Sequence, residues 1–183
     1  TDAVAAGSLF AGAGLEGIVS HMLEVAGSRA PADLYDQTSK AFREGGASGA
    51  IMIEGIREAM EALVELGVVL GIATNDTAAG LNASLGRYGV IELCSFTCGC
   101  DSGHGVKPSP GMVEAFCRAV DLPASAVAVV GDSIHDLEMA HRAGAGRIAV
   151  LSGTSGRGDL APHADLVLDS VRDLPALFSH RRS

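Results

Sequence analysis

Three short stretches hold most of the side chains that could do chemistry. "GIATND" closes an apolar run with Thr74, Asn75 and Asp76. "GVKPSPG" sets Lys107, one of two lysines in the chain, in a Gly- and Pro-rich loop. "VVGDSIHD" closes another apolar run with Asp132 and Asp136, four residues apart. Hard carboxylate oxygens suit Mg²⁺, which keeps several waters and shares its shell with substrate phosphate. A lysine and helix-start amides suit the phosphate oxygens themselves. Each stretch also has a plain structural reading. Thr74, Asn75 or Asp76 could cap the next helix, Ser133 with Asp136 fits a capping box, and Lys107 could be an exposed loop lysine. Their joint occurrence at successive strand ends favours a Mg²⁺ and phosphate site.

The elements that must position these residues alternate. Ile53, Ile56, Met60, Leu63 and Val64 recur at helical spacing and Gly67 follows as a stop. Runs at 68–73, 126–130 and 147–151 have strand length, with weaker strands at 94–98 and 164–169. Helices are expected over 77–87, 111–120 and 134–142, and from Val171 onward. This order predicts the α/β class, a doubly wound parallel sheet whose site lies at the carboxyl ends of its strands. Ahead of it, 15–25 and 31–43 each read as a helix, with breaks at 27–31 and at "REGGASGA".

A chain of 183 residues suits one domain with a small appended piece. With 24 Gly, no Trp and five Phe, packing falls to Ala, Val, Leu and Gly, which fits closely packed α/β layers. A formal charge of −9 and a pI near 5.0 argue against nucleic acid or an anionic membrane as partner. No apolar run is long enough to span a bilayer, and "TDAVAAGSLFAGAG" lacks the basic region of a signal peptide. Cys94, Cys98, Cys100 and Cys117 do not make a small disulfide scaffold, so a reduced, cytoplasmic protein is expected.

"GIATND", "GVKPSPGM" and "VVGDSIHDLEMAHRAG" together resemble the second, third and fourth motifs of the haloacid dehalogenase superfamily of phosphatases. The nearest likeness is to its phosphoglycolate-phosphatase-like branch, and it runs from about residue 53 to 177, including "CDSGHGVKP" and "ADLVLDSVRDLPAL". The resemblance implies a Rossmann-like core at 51–183 and a partial helical cap at 1–50. It implies that Thr74 and Asn75 bind the transferring phosphoryl group and that Lys107 neutralises charge on it. Asp132 would bind Mg²⁺, while Asp136 would complete the acidic cluster through a water or by orienting Lys107. The implied reaction is phosphomonoester hydrolysis through an aspartyl phosphate, and the implied substrate a small phosphorylated metabolite, 2-phosphoglycolate first. A monomer or homodimer is expected.

One motif of that family is missing. D-x-D-x-T, which carries the nucleophile and the general acid/base at the end of the first strand, does not occur; the acids before residue 30 are Asp2, Glu16 and Glu24. The strand and its turn would need roughly 20 to 40 further residues of a βα unit. They are expected in a segment N-terminal to this sequence, so residues 1–183 alone are not expected to turn over. An internal gap at "GGASGA" and a degenerate, non-catalytic relative that keeps phosphate and Mg²⁺ binding are the alternatives. A receiver domain also joins acids, Thr and Lys on such a sheet, but lacks the cap and the K-P loop.

Other signals have bland readings. "GAGLEG" lacks a strand before it and reads as a loop opening a helix. Cys94, Cys98, Cys100 and His104 do not have a standard zinc spacing. His135 reads as an exposed first-turn histidine, and "RGD" at 157–159 as loop composition.

Overall fold

The computed structural model describes residues 52–179. The helices expected at 15–25 and 31–43, "GAGLEG" and "GGASGA" lie outside the described residues, as does the cap they were assigned to. Within 52–179 the elements are α1 (Ile56–Glu65), β1 (Gly71–Ala73), α2 (Ala78–Leu85), β2 (Phe96–Cys98), α3 (Gly111–Val120) and β3 (Ala128–Gly131). Then come α4 (Ile134–Ala143), β4 (Gly146–Val150), α5 (Arg157–Leu160), β5 (Leu166–Leu168) and α6 (Leu174–Ser179).

Every strand pair is parallel, with β1 on β2, β3 on β4 and β4 on β5. The helix–strand alternation is therefore as expected for an α/β core. The strands form two ladders, β1-β2 and β3-β4-β5, with no ladder between β1 and β3 among the described residues. Side chains join what the backbone does not. Cys98 of β2, Met112 and Val113 of α3 and Met139 and Ala140 of α4 form one buried cluster, against which Ala73 of β1 and Val129 of β3 pack. A second cluster, Leu137, Ala149 and Leu160, fastens α4 and α5 to β4. Among the described residues no helix is long and apolar enough to cross a membrane.

Local chemistry sets the element ends. Thr77 caps α2, its side chain accepting from the Gly80 N–H at 3.0 Å. Ser133 caps α4 in a full capping box with Asp136, and Gly144, at φ 74°, ends that helix in the left-handed region. Four of the five strands are shorter than the apolar runs that announced them, β1 covering three residues of 68–73 and β5 three of 164–169, while β4 has the expected five residues, one position earlier. "RGD" opens α5 instead of lying in a loop.

Met112 is fully buried in the cluster that joins the two ladders. Met112→Ala is expected to lower the unfolding free energy by about 2–5 kcal/mol in urea denaturation, through lost burial and a residual cavity. At the edge of β4, Arg147 forms a two-pronged ion pair with Asp165, and its side-chain hydrogen bonds hold the Asp165 carboxyl below the usual carboxylate range. A carboxyl depressed in the folded state adds stability above its unfolded pKa and loses it as pH falls through the lowered value. The melting-temperature gap between wild type and Asp165→Asn should therefore be largest near neutral pH and close below about pH 4.

Candidate active site

Thr74 follows β1, and its N–H donates to the Cys98 carbonyl at 2.9 Å, which prolongs the ladder by one residue and fixes where the strand stops. Its Oγ1 accepts from the Asp76 N–H at 3.0 Å. With that lone pair used, the hydroxyl proton is left to donate elsewhere. Asp76 in turn accepts from the Thr77 N–H at 2.7 Å, so the turn into α2 is closed by its own side chains.

Asn75 reaches across to the loop after β2. Its Oδ1 accepts from the Lys107 N–H at 2.9 Å and its Nδ2 donates to the Lys107 carbonyl at 3.4 Å. Lys107 then points its ammonium at α4, donating from Nζ to Asp136 Oδ1 at 2.6 Å. Asp136 is 6% exposed and is the only charged side chain buried among the described residues. Its second oxygen accepts from the Ser133 hydroxyl at 2.6 Å and the Ser133 N–H at 3.2 Å. Gly131 makes this possible, since a Cβ there would collide with the Asp136 side chain.

Asp132 stands one residue beyond β3. Its Oδ2 accepts from the Thr154 N–H at 2.9 Å and from the Thr154 hydroxyl at 3.4 Å. Gly153 lets that loop close on it, because a Cβ at Gly153 would overlap the Asp132 carboxylate. Among the described residues no donor reaches Asp132 Oδ1. Of the two carboxylates expected to hold a metal, Asp132 keeps an oxygen open, while both oxygens of Asp136 are engaged by Lys107 and Ser133.

The expected site residues thus form a chain of contacts from Asn75 through Lys107 to Asp136, with Thr74 just after β1 and Asp132 just after β3. The capping box at Ser133 and the lysine's ion pair use the same carboxylate, so the structural and chemical readings of Asp136 are both true of it. Thr154 was not foreseen; its signal is the "SGTSG" loop directly after β4. Arg142, whose Nη1 donates to the Pro108 carbonyl at 3.2 Å, was also missed. His135 is partly buried in the first turn of α4, where exposure was expected.

Cys94, Cys98, Cys100 and His104 do not assemble a metal centre, and among the described residues no three His, Cys, Asp or Glu side chains converge to hold a metal. All four cysteines are free thiols. Burial, with the Glu92 carboxylate nearby, pushes the Cys94 thiol up to about 11, and burial also raises Cys100 and Cys117. Such thiols stay protonated near neutral pH and are poor nucleophiles.

Residues 10–150 match the family described as haloacid dehalogenase-like hydrolase. The chain is 29% identical over 178 residues to the plasmid phosphoglycolate phosphatase of Cupriavidus necator, covering 94% of this chain and 77% of that protein. It is 26% identical over 144 residues to the phosphoglycolate phosphatase of Mannheimia succiniciproducens, covering 78% of this chain and 64% of that protein. Among solved structures, CbbY from Rhodobacter sphaeroides in complex with phosphate superposes with a TM-score of 0.74 at 26% identity, over 88% of this chain and 74% of that one. The sequence thus spans about two thirds to three quarters of these relatives. With more than half of its 183 residues matched, the chain belongs to the haloacid dehalogenase-like hydrolase family.

Proposed function

We propose that the protein is a Mg²⁺-dependent phosphomonoester hydrolase acting on a small phosphorylated metabolite. The observation that carries this reading is the pairing of Lys107 with the buried Asp136, between the strand ends bearing Thr74 and Asp132. The nucleophilic aspartate would come from a segment N-terminal to this sequence, in line with the missing D-x-D-x-T motif. Attack by that carboxylate on phosphorus would break the ester P–O bond, release the metabolite's hydroxyl and give an aspartyl phosphate, which water then hydrolyses to inorganic phosphate and the free carboxylate.

Each residue has a task that its contacts support. Thr74 donates its free hydroxyl proton to a phosphoryl oxygen. The Lys107 ammonium has three N–H donors and spends one on Asp136, which leaves two for the phosphoryl group. Asp136 holds that ammonium in place, and Ser133 holds Asp136. Asp132 fits a hard cation, because one of its oxygens is anchored by Thr154 and the other faces no protein donor among the described residues. Bound there, Mg²⁺ would supply charge neutralisation at the phosphoryl oxygens. Positioning and charge stabilisation are most of what phosphoryl transfer requires of a protein.

The names of the curated relatives make 2-phosphoglycolate the first substrate to try. Sugar phosphates and nucleoside monophosphates suit the same chemistry. The proposal includes a cytoplasmic setting and a monomer or homodimer. The second reading, a non-catalytic domain that binds phosphate and Mg²⁺, is favoured by the absence of D-x-D-x-T from residues 1–183.

Full-length protein assayed with an aryl phosphate should turn over with Mg²⁺ and stop with EDTA. Asp132→Ala should lose about 100-fold or more, the scale of losing one preorganised electrostatic contact. Equal activity of Asp132→Ala and wild type would remove the metal assignment. No turnover of any phosphomonoester by the full-length protein would leave the binding-domain reading. Among 2-phosphoglycolate, a sugar phosphate and a nucleoside monophosphate, the highest kcat/KM is expected for 2-phosphoglycolate; a preference for either of the others would replace it.

A further inference from the structure

We infer that Asn75 is a positioning residue for Lys107, gripping the lysine's own backbone and thereby setting where its ammonium stands relative to Thr74. The inference rests on the phosphatase reading above and assigns Asn75 a role other than contact with the phosphoryl group through its side chain. The carboxamide offers one acceptor and one donor side by side, and both are spent on a single residue: Oδ1 on the Lys107 N–H and Nδ2 on the Lys107 carbonyl. Asparagine is suited to this exchange. Aspartate would keep the acceptor but set a negative charge against the carbonyl, and glutamine would be one methylene too long.

The loop needs such a grip. Between Cys98 and Gly111 no strand ladder fixes the backbone, and Val106 and Ser109, which flank the Lys107–Pro108 pair, are exposed. The Lys107 side chain is largely covered, and across the pair the Ser109 N–H donates to the Val106 carbonyl at 2.8 Å, a local turn that does not tie the loop to the rest of the fold. Three side-chain contacts restrain the Lys107–Pro108 pair instead: Asn75 on the Lys107 backbone, Asp136 on its ammonium, and Arg142 on the Pro108 carbonyl. The last two come from α4, which packs on β3 and β4. Asn75 alone of the three follows β1, the strand that ends at Thr74, so it is the restraint that references Lys107 to Thr74, while Asp136 and Arg142 reference it to the other ladder. Without it, the ammonium stays paired with Asp136 while its distance from the Thr74 hydroxyl is no longer set.

The test is a double-mutant cycle in the full-length enzyme with its best phosphomonoester. Asn75→Ala is expected to lower kcat by about 10- to 100-fold with a smaller change in KM, as a misplacement of a catalytic group does. In the Lys107→Ala background the same substitution should cost almost nothing further, because there is no ammonium left to position. Multiplicative losses would mean that Asn75 touches the phosphoryl group itself and would overturn the inference. A merely structural role would lower the melting temperature equally in both backgrounds without coupling in kcat, and would overturn it too. Asn75→Asp, isosteric and still able to accept from the Lys107 N–H, repeats the cycle if the alanine variant does not fold. If Lys107→Ala alone leaves kcat/KM unchanged, the phosphatase reading of this site falls first and takes the inference with it.

Discussion

A buried carboxylate cannot stand alone in a protein interior. Asp136 is the one charged side chain buried among the described residues, and the neighbourhood is built to satisfy its hydrogen-bonding oxygens. Lys107 supplies the countercharge, the Ser133 hydroxyl and N–H supply the remaining hydrogen bonds, and Gly131 supplies the room. Removing one partner of such a pair leaves an uncompensated charge at a cost of about 3–5 kcal/mol, so each group constrains the others. The same requirement draws the loop carrying Lys107 over the first turn of α4.

That pull matters because the strands alone do not bring the site together. Thr74 ends a strand of one ladder and Asp132 ends a strand of the other, with no backbone ladder between β1 and β3 among the described residues. The buried cluster of Met112, Val113, Met139 and Ala140 packs the ladders through α3 and α4, and the lysine bridges their polar ends. Apolar burial holds the two halves at a fixed distance, and the Asn75–Lys107–Asp136 chain sets the register of the polar groups above it. A strand between β1 and β3 would add its own carboxyl end to the same edge, between the ends that bear Thr74 and Asp132.

Much of this was legible in the sequence, and the reasons differ by residue. The helices at 111–120 and Ile134–Ala143 follow from clear apolar periodicity and from the Ser133 capping box, a local signal. The strands were legible as apolar runs, but all except β4 were expected longer than they are, because a run such as "VVLGIA" records burial while the ladder depends on a neighbour's register. Thr74 and Asp132 stood out by type and by their place just after apolar runs, Lys107 by its Gly- and Pro-rich loop, and Asp136 by its spacing from Asp132. The grip of Asn75 on Lys107 and of Thr154 on Asp132 could not be read, because each spans more than twenty residues and exists only once loops are in place. The shared use of Asp136 by a helix cap and by an ion pair is likewise a property of three dimensions.

In the proposed site the Lys107 ammonium, fixed by Asp136, is the cation that receives phosphate. Calorimetric titration of the full-length protein with inorganic phosphate, in the presence of Mg²⁺, tests it directly. Wild type should bind saturably and Lys107→Met about tenfold or more weakly, the scale of one lost charge-assisted hydrogen bond. Equal affinity of the two proteins for phosphate would contradict it.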